Sequence, residues 1–178
     1  GPALVRGTRR PDAETAVSGV FAENAATVML ERVAVIDSHQ HGINSQSRAR
    51  VHVVDAVVRG VADLYLYGMP FPEPCPPADR SLNVYARGTG HGLYAADGGE
   101  IRAERILVEE TQNVSIYAGN THSAIVVLDG VIRQMHPPSA VVGKGVLAIS
   151  AGALVLNRVL IDDGGGVIGT WEMGPGGG

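Results

Sequence analysis

One set of spacings recurs five times along this chain. From Leu93, small or apolar residues follow at Ala95, Ile101, Ala103, Ile106 and Val108, at offsets of +2, +8, +10, +13 and +15. The same steps lead from Val20 to Ala22, Val28, Leu30, Val33 and Val35, and from Ile43 to Ser45, Val51, Val53, Ala56 and Val58. They lead from Tyr117 to Gly119, Ile125, Val127, Gly130 and Ile132, and from Val146 to Ala148, Leu154, Leu156, Val159 and Ile161. Glycine precedes four of the starting residues, as Gly19, Gly42, Gly92 and Gly145. An internal repeat limits the accessible folds more tightly than composition does, because each unit must bury its apolar positions against its neighbours.

Each unit holds three short alternating segments and no helical period, the pattern of strands with one buried face. A short three-strand unit reads as one coil of a parallel β-helix, with equivalent strands stacked and inward residues forming ladders. The asparagine position and helical half of a leucine-rich repeat are missing. The expected fold is all-β, a right-handed parallel β-helix (solenoid) of about seven coils. It occupies residues 1–173 as a single domain, with a glycine-rich tail over 174–178. Ala3-Leu4-Val5-Arg6-Gly7 matches Ala56-Val57-Val58-Arg59-Gly60, the third strand of a coil, so the chain reads as a segment of a longer solenoid. An irregular coil is expected to start at Leu64-Tyr65-Leu66, leave the sheet through the proline-rich stretch from Gly68 to Arg80, and resume at Leu82 and Val84. A partial coil starts at Val167, with Trp171 over the end of the core.

One column offers a test of this alignment. Offset +12 carries Arg32, Asp55, Arg105, Asp129 and Arg158, with Ser81 in the irregular coil. Opposite charges on neighbouring strands attract, so the alternation favours the register.

Composition excludes several functions. A hydrophobic fraction of 45% excludes a disordered chain, and the net charge of −4 without a basic cluster argues against nucleic acid. No window is long and apolar enough for a membrane span. The single Cys75 forms no internal disulfide.

The units resemble those of right-handed parallel β-helix proteins, the pectin-lyase-like superfamily, over nearly the whole chain. That resemblance implies an architecture shared by lyases, hydrolases, epimerases and adhesins, and no single activity. Gly88-Thr89-Gly90-His91-Gly92 resembles the Gly-His-Gly motif of polygalacturonase-type hydrolases. The paired aspartates and Arg-x-Lys of that family are missing, Lys144 being the only lysine. His91-Gly92 is also the turn of the repeat, since His41-Gly42 and Lys144-Gly145 stand at the equivalent place. Val35-Ile36-Asp37-Ser38-His39 resembles the Asp-His segment of pectate lyases, which bind Ca²⁺ through clustered carboxylates. Asp37 has no acidic neighbours in the alignment, and no metal or other cofactor is expected.

Loops carry function on rigid scaffolds. Three long ones, Thr8 to Ser18, Gly68 to Arg80 and Met135 to Gly143, would wall the outer face of the first-strand sheet. Phe21, Asn44, Tyr65, Tyr94, Ala118 and Leu147 are read as outward there, with Glu23, Gln46, Tyr67 and Asn120 one step on. Just ahead of the strand, His41, Asp63 and His91 are expected on successive coils. Aromatic rings beside amides and imidazoles suit a sugar, so Asn44, Gln46, Tyr65, Tyr67 and Tyr94 are the candidate substrate-binding residues.

The expected function is a non-catalytic scaffold or interaction module of a larger cell-surface or secreted protein, presenting this face to a glycan or partner. The alternative is a polysaccharide lyase or epimerase acting by proton abstraction. His41 or His91 would then be the base, Tyr65 or Tyr94 the proton donor, and Asp63 the group orienting the histidine. A second surface lies at offset +14, where Ala34, Val57, Asn83, Leu107, Val131 and Leu160 form an outward aliphatic stripe. Parallel sheets usually cover both faces, so Val57, Leu107, Val131 and Leu160 are candidate interface residues for self-association or a flanking domain.

Overall fold

The computed structural model describes residues 3–6, 18–62, 90–134, 144–162 and 169–170. Among them lie thirteen strands and no helix. The first six are β1 (Ala3–Arg6), β2 (Ser18–Ala22), β3 (Thr27–Glu31), β4 (Val33–Ile36), β5 (His41–Ser45) and β6 (Arg50–Val61). They are followed by β7 (His91–Ala95), β8 (Glu100–Thr111), β9 (Val114–Gly119) and β10 (Ala124–Arg133). The last three are β11 (Lys144–Ile149), β12 (Ala153–Asp162) and β13 (Gly169–Thr170). No helix among the described residues is long and apolar enough to cross a membrane.

The strands form two sheets, and every pairing is parallel. The first strand of each unit enters one sheet, in the order β13-β11-β9-β7-β5-β2. The second and third strands enter the other, in the order β1-β4-β6-β8-β10-β12, with β3 also on β6. In later units the second and third strands merge into one long bent strand. Equivalent positions pair across rungs, a rung being the strands of one unit: Val51 with Ile101, Ile101 with Ile125, and Ile125 with Leu154. The core lies between the sheets, and Ile43, Leu93, Ile116, Val53, Val58, Val108, Ile125 and Ile132 in it are fully buried.

Two local devices turn the chain. A two-residue corner separates the first strand from the second: Asn24 and Ala25, Ser47 and Arg48, Asp97 and Gly98, Ser150 and Ala151 all have positive φ. Bonds such as Ala49 N–H to Gln46 C=O (3.0 Å) and Gly152 N–H to Ile149 C=O (2.9 Å) close it. Two left-handed residues in succession define a type I′ turn, which matches strand twist. The second corner is the +12 column, where Arg32, Asp55, Arg105, Asp129 and Arg158 have φ of 52° to 58°. Left-handed backbone is uncommon for arginine. The ladders on both sides of the bend hold it there, as in the bond from Arg32 N–H to Val54 C=O (2.9 Å).

Two ion pairs form within that column, while Arg32 turns to Glu31 of its own rung. Arg105 grips Asp55 through Nε (2.5 Å) and Nη2 (3.2 Å), and Arg158 grips Asp129 in the same forked manner. Arg105→Asp would line up three carboxylates on successive rungs. It is expected to lower the melting temperature at low salt, with much of the loss recovered near 1 M salt, where the screening length falls to about 3 Å. A melt unchanged by either substitution or salt would show that the column does not set register.

Two expectations are corrected. β5 pairs directly with β7, and β6 directly with β8, so these rungs are immediate neighbours; the irregular coil expected from Leu64 to Val84 lies outside the described residues. Among the described residues the stack holds five full rungs with single strands β1 and β13 beyond them, and Asp55 and Arg105 stand on neighbouring rungs. The second correction concerns β9. Its Ile116 pairs with Leu93, and Tyr117 pairs with Tyr94. Tyr117 therefore leaves the inward ladder and faces outward, while Ala118 turns inward and is fully buried. The turn after β9 is one residue longer than its counterparts, and a one-residue slip exchanges the two faces of a strand.

Candidate functional site

The site on the first-strand sheet begins with its glycines. A Cβ built on Gly19, Gly42 or Gly92 would overlap Val35, Val58 or Val108, the inward residues of the third strand. Glycine and the residue after it thus both face the core, so Gly42 and Ile43 point in while His41 and Asn44 point out on the same side. His91, Gly92, Leu93 and Tyr94 repeat the arrangement one rung on, with His41 on His91 and Asn44 on Tyr94 in register. The glycine is a corner through which the core closes, which accounts for the Gly-His-Gly likeness without catalysis.

These outward groups form a stacked cluster. The rings of Tyr94 and Tyr117 lie 5.0 Å apart at 5°, those of His91 and Tyr117 4.9 Å apart, and those of His41 and Tyr94 4.3 Å apart. His41 and His91 stack at 5.6 Å. Asn44 Nδ2 donates to His41 Nδ1 (3.2 Å) and to Ser18 Oγ (3.4 Å). Val114, Tyr117 and Leu147 form a second apolar cluster on this outer face, with Tyr94 and Ile149 packed against it.

The cluster is closed to solvent except at Tyr94, which is half-buried. His91 is 0% exposed, Asn44 2%, His41 4% and Tyr117 5%. Burial, with Tyr94 beside it, pushes the Tyr117 phenol above the usual tyrosine range. Burial and then the Asp97 charge do the same for Tyr94. Both rings therefore stay protonated and cannot serve as phenolate bases. Among the described residues no group of three His, Cys, Asp or Glu could hold a metal ion.

No family model, curated protein or solved structure matches this chain.

Of the residues expected at the site, the structure brings together His41, His91, Asn44 and Tyr94. Gln46 lies half-buried in the corner after β5. Asp63, Tyr65 and Tyr67 lie outside the described residues. Ser18 and Tyr117 were missed. Tyr117 was legible in principle: Ser115 is the small residue ahead of an apolar one, as Gly42 and Gly92 are. Aligning Ser115 with those glycines, at the cost of one extra turn residue, puts Tyr117 beside Tyr94.

The aliphatic stripe is in register, with Val57 on Leu107, Leu107 on Val131, and Val131 on Leu160. Val57, Leu107 and Val131 are half-buried and Leu160 is exposed. Val57, Leu107 and Val131 floor a shallow groove of about 470 Å³ bordered by Asp55, Arg105, Asp129 and Arg133. Arg133 also belongs to an ion triad. Glu109, 1% exposed, accepts from Arg59 Nε (2.5 Å) on one rung and Arg133 Nε (2.8 Å) on the next.

Proposed function

We propose that this chain is a right-handed parallel β-helix of the pectin-lyase-like kind that serves as a non-catalytic scaffold or interaction module in a larger surface or secreted protein. In-register parallel pairing between successive units, with a corner at the same place in each, supports the architecture. The observation carrying the functional reading is the burial of His41, His91, Asn44 and Tyr117, with Tyr94 half-buried among them. A general base must reach the proton it removes, and a sugar-binding face must offer its rings to the sugar. Rings stacked on one another and mostly closed to water act as packing, each aromatic pair adding roughly 0.5–1.5 kcal/mol beyond its burial. A glycan or protein partner would then meet a surface other than this cluster.

The lyase reading makes a contrary demand that is simple to measure. Uronic-acid polymers incubated with the protein, with and without Ca²⁺, are expected to develop no unsaturated chromophore. A chromophore that is lost in His41→Ala and His91→Ala variants would replace the scaffold with the lyase.

A further inference from the structure

The outward face of the long-strand sheet carries three columns side by side. In the middle runs the aliphatic stripe, with Val57, Leu107, Val131 and Leu160 on the rungs of β6, β8, β10 and β12. On one side stand Asp55, Arg105, Asp129 and Arg158, and on the other Arg59, Glu109, Arg133 and Asp162. Both charged columns alternate in sign from rung to rung. They are out of step, so each rung carries one charge of each sign across the stripe. The stripe alternates too, in size: valine, leucine, valine, leucine. Every residue lining the groove over this face is among the described ones. All the flanking charges except the buried Glu109 are exposed.

Such a pattern is complementary to itself. A second copy can be turned onto it about a two-fold axis lying in the face, along the strands and midway between β8 and β10. β8 then meets the partner's β10, and β6 meets the partner's β12. Arg105 faces the partner's Asp129, Asp55 the partner's Arg158, Arg133 the partner's Glu109 and Arg59 the partner's Asp162. Opposite charges meet at every one of these positions. In the stripe Leu107 meets the partner's Val131 and Val57 the partner's Leu160, a large side chain against a small one throughout, as interdigitating layers require. Other registers fail. A shift by one rung places Arg105 on the partner's Arg105. Stacks running the same way, each rung on itself, keep the charges matched but set leucine on leucine and valine on valine, which leaves a gap at every second rung.

We propose that two copies of this chain pair through this face as an isologous dimer, their stacks antiparallel and the two-fold axis between β8 and β10. The facing sheets would keep their strands within about 30° of one another, the usual aligned packing. Each would cover the stripe of the other, and parallel sheets are seldom left bare on one face.

The flanking charges already hold one another along each column, as Arg105 holds Asp55 and Arg158 holds Asp129. Across the dimer they fix register and exclude wrong partners more than they add affinity. Four strands about 4.8 Å apart make a narrow footprint. It falls well under the roughly 800 Å² per partner of a standard interface, so a weak dimer is expected. This pairing goes beyond the scaffold reading and uses no residue of the histidine and tyrosine cluster.

Light scattering and sedimentation equilibrium on the purified chain, at concentrations up to about 1 mM where weak contacts become populated, test it. The expected mass rises to the dimer and stops there, because a two-fold contact closes on itself. Leu107→Asp puts a carboxylate at the centre of the stripe and is expected to weaken pairing about tenfold or more, with circular dichroism confirming that it is folded. Milder variants read the orientation. In a Cys75→Ser background, a bis-maleimide shorter than three rung spacings, about 14 Å, is expected to join Val57→Cys to Leu160→Cys when the two are mixed. Neither variant should link to itself, since like positions lie those three spacings apart. A monomer at every concentration, a mass that climbs past the dimer, a folded Leu107→Asp that pairs undiminished, or self-linking in place of the mixed product would each overturn the proposal. A monomer without lyase activity would leave the scaffold reading intact, whereas a lyase that still dimerises would remove only that reading.

Discussion

Gly92→Ala is expected to destabilise the fold by about 3 kcal/mol, the upper part of the range for overpacking a filled core. Its added Cβ would overlap Val108 Cγ1, lie 2.6 Å from the Ser115 carbonyl oxygen and reach Thr111 Cγ2 at 3.3 Å. The valine could give way by changing rotamer. The carbonyl could not, because it belongs to the backbone of β9, which pairs in parallel with β7 from Leu93 to Ala95. Val108→Ala on the Gly92→Ala background is therefore expected to recover only part of the loss. Denaturant titration reads the result as a shift in midpoint at constant slope. An unchanged midpoint would mean that the recurring glycine is not the corner through which the core closes, and a catalytic reading of His91-Gly92 would regain ground.

The second large effect belongs to Glu109. Burial alone would raise the pKa of this carboxyl, but the hydrogen bonds from Arg133 and Arg59 more than offset it and hold the group below the ordinary glutamate range. Glu109→Gln keeps the shape and removes the charge that two guanidinium groups share. The expected loss is about 2 kcal/mol at neutral pH, within the span for hydrogen bonds to charged groups. It stays below the cost of breaking a fully buried pair because both arginines are half open to water. Since the folded-state pKa is depressed, this stability is fully present above the unfolded value of roughly 4.3 and fades as pH falls through the folded one. Native and Gln variants should thus differ at pH 7 and converge in acid. A gap of equal size at pH 7 and pH 3 would assign the effect to packing.

The parts of the fold that could be read from the residues are those set by local pattern. Alternation marks which side chains of a strand share a face, and the spacing of Leu93, Ile101 and Val108 repeats because each rung turns at the same places. The +12 column was legible for the same reason, although the left-handed backbone of its arginines carries no residue signature. The site was legible only in part. His41, His91, Asn44 and Tyr94 stand at repeat positions and come together as the repeat implies. Tyr117 was displaced by one turn residue, which no alternation within β9 reveals.

The sequence by itself determined that the chain is all-β, which apolar residues form its inward ladders outside β9, and that Asp55, Arg105, Asp129 and Arg158 share a column. These follow from a period-two pattern and fixed spacings, which act within a few residues of one another. Only the tertiary structure decided which rungs are neighbours, that β5 and β7 meet with nothing between them, and that the histidine and tyrosine rings are stacked and mostly closed to water. Those outcomes depend on which distant strands exchange backbone hydrogen bonds. Strand-like alternation in one segment therefore does not say which rung it will join, because pairing is settled between strands far apart in the chain.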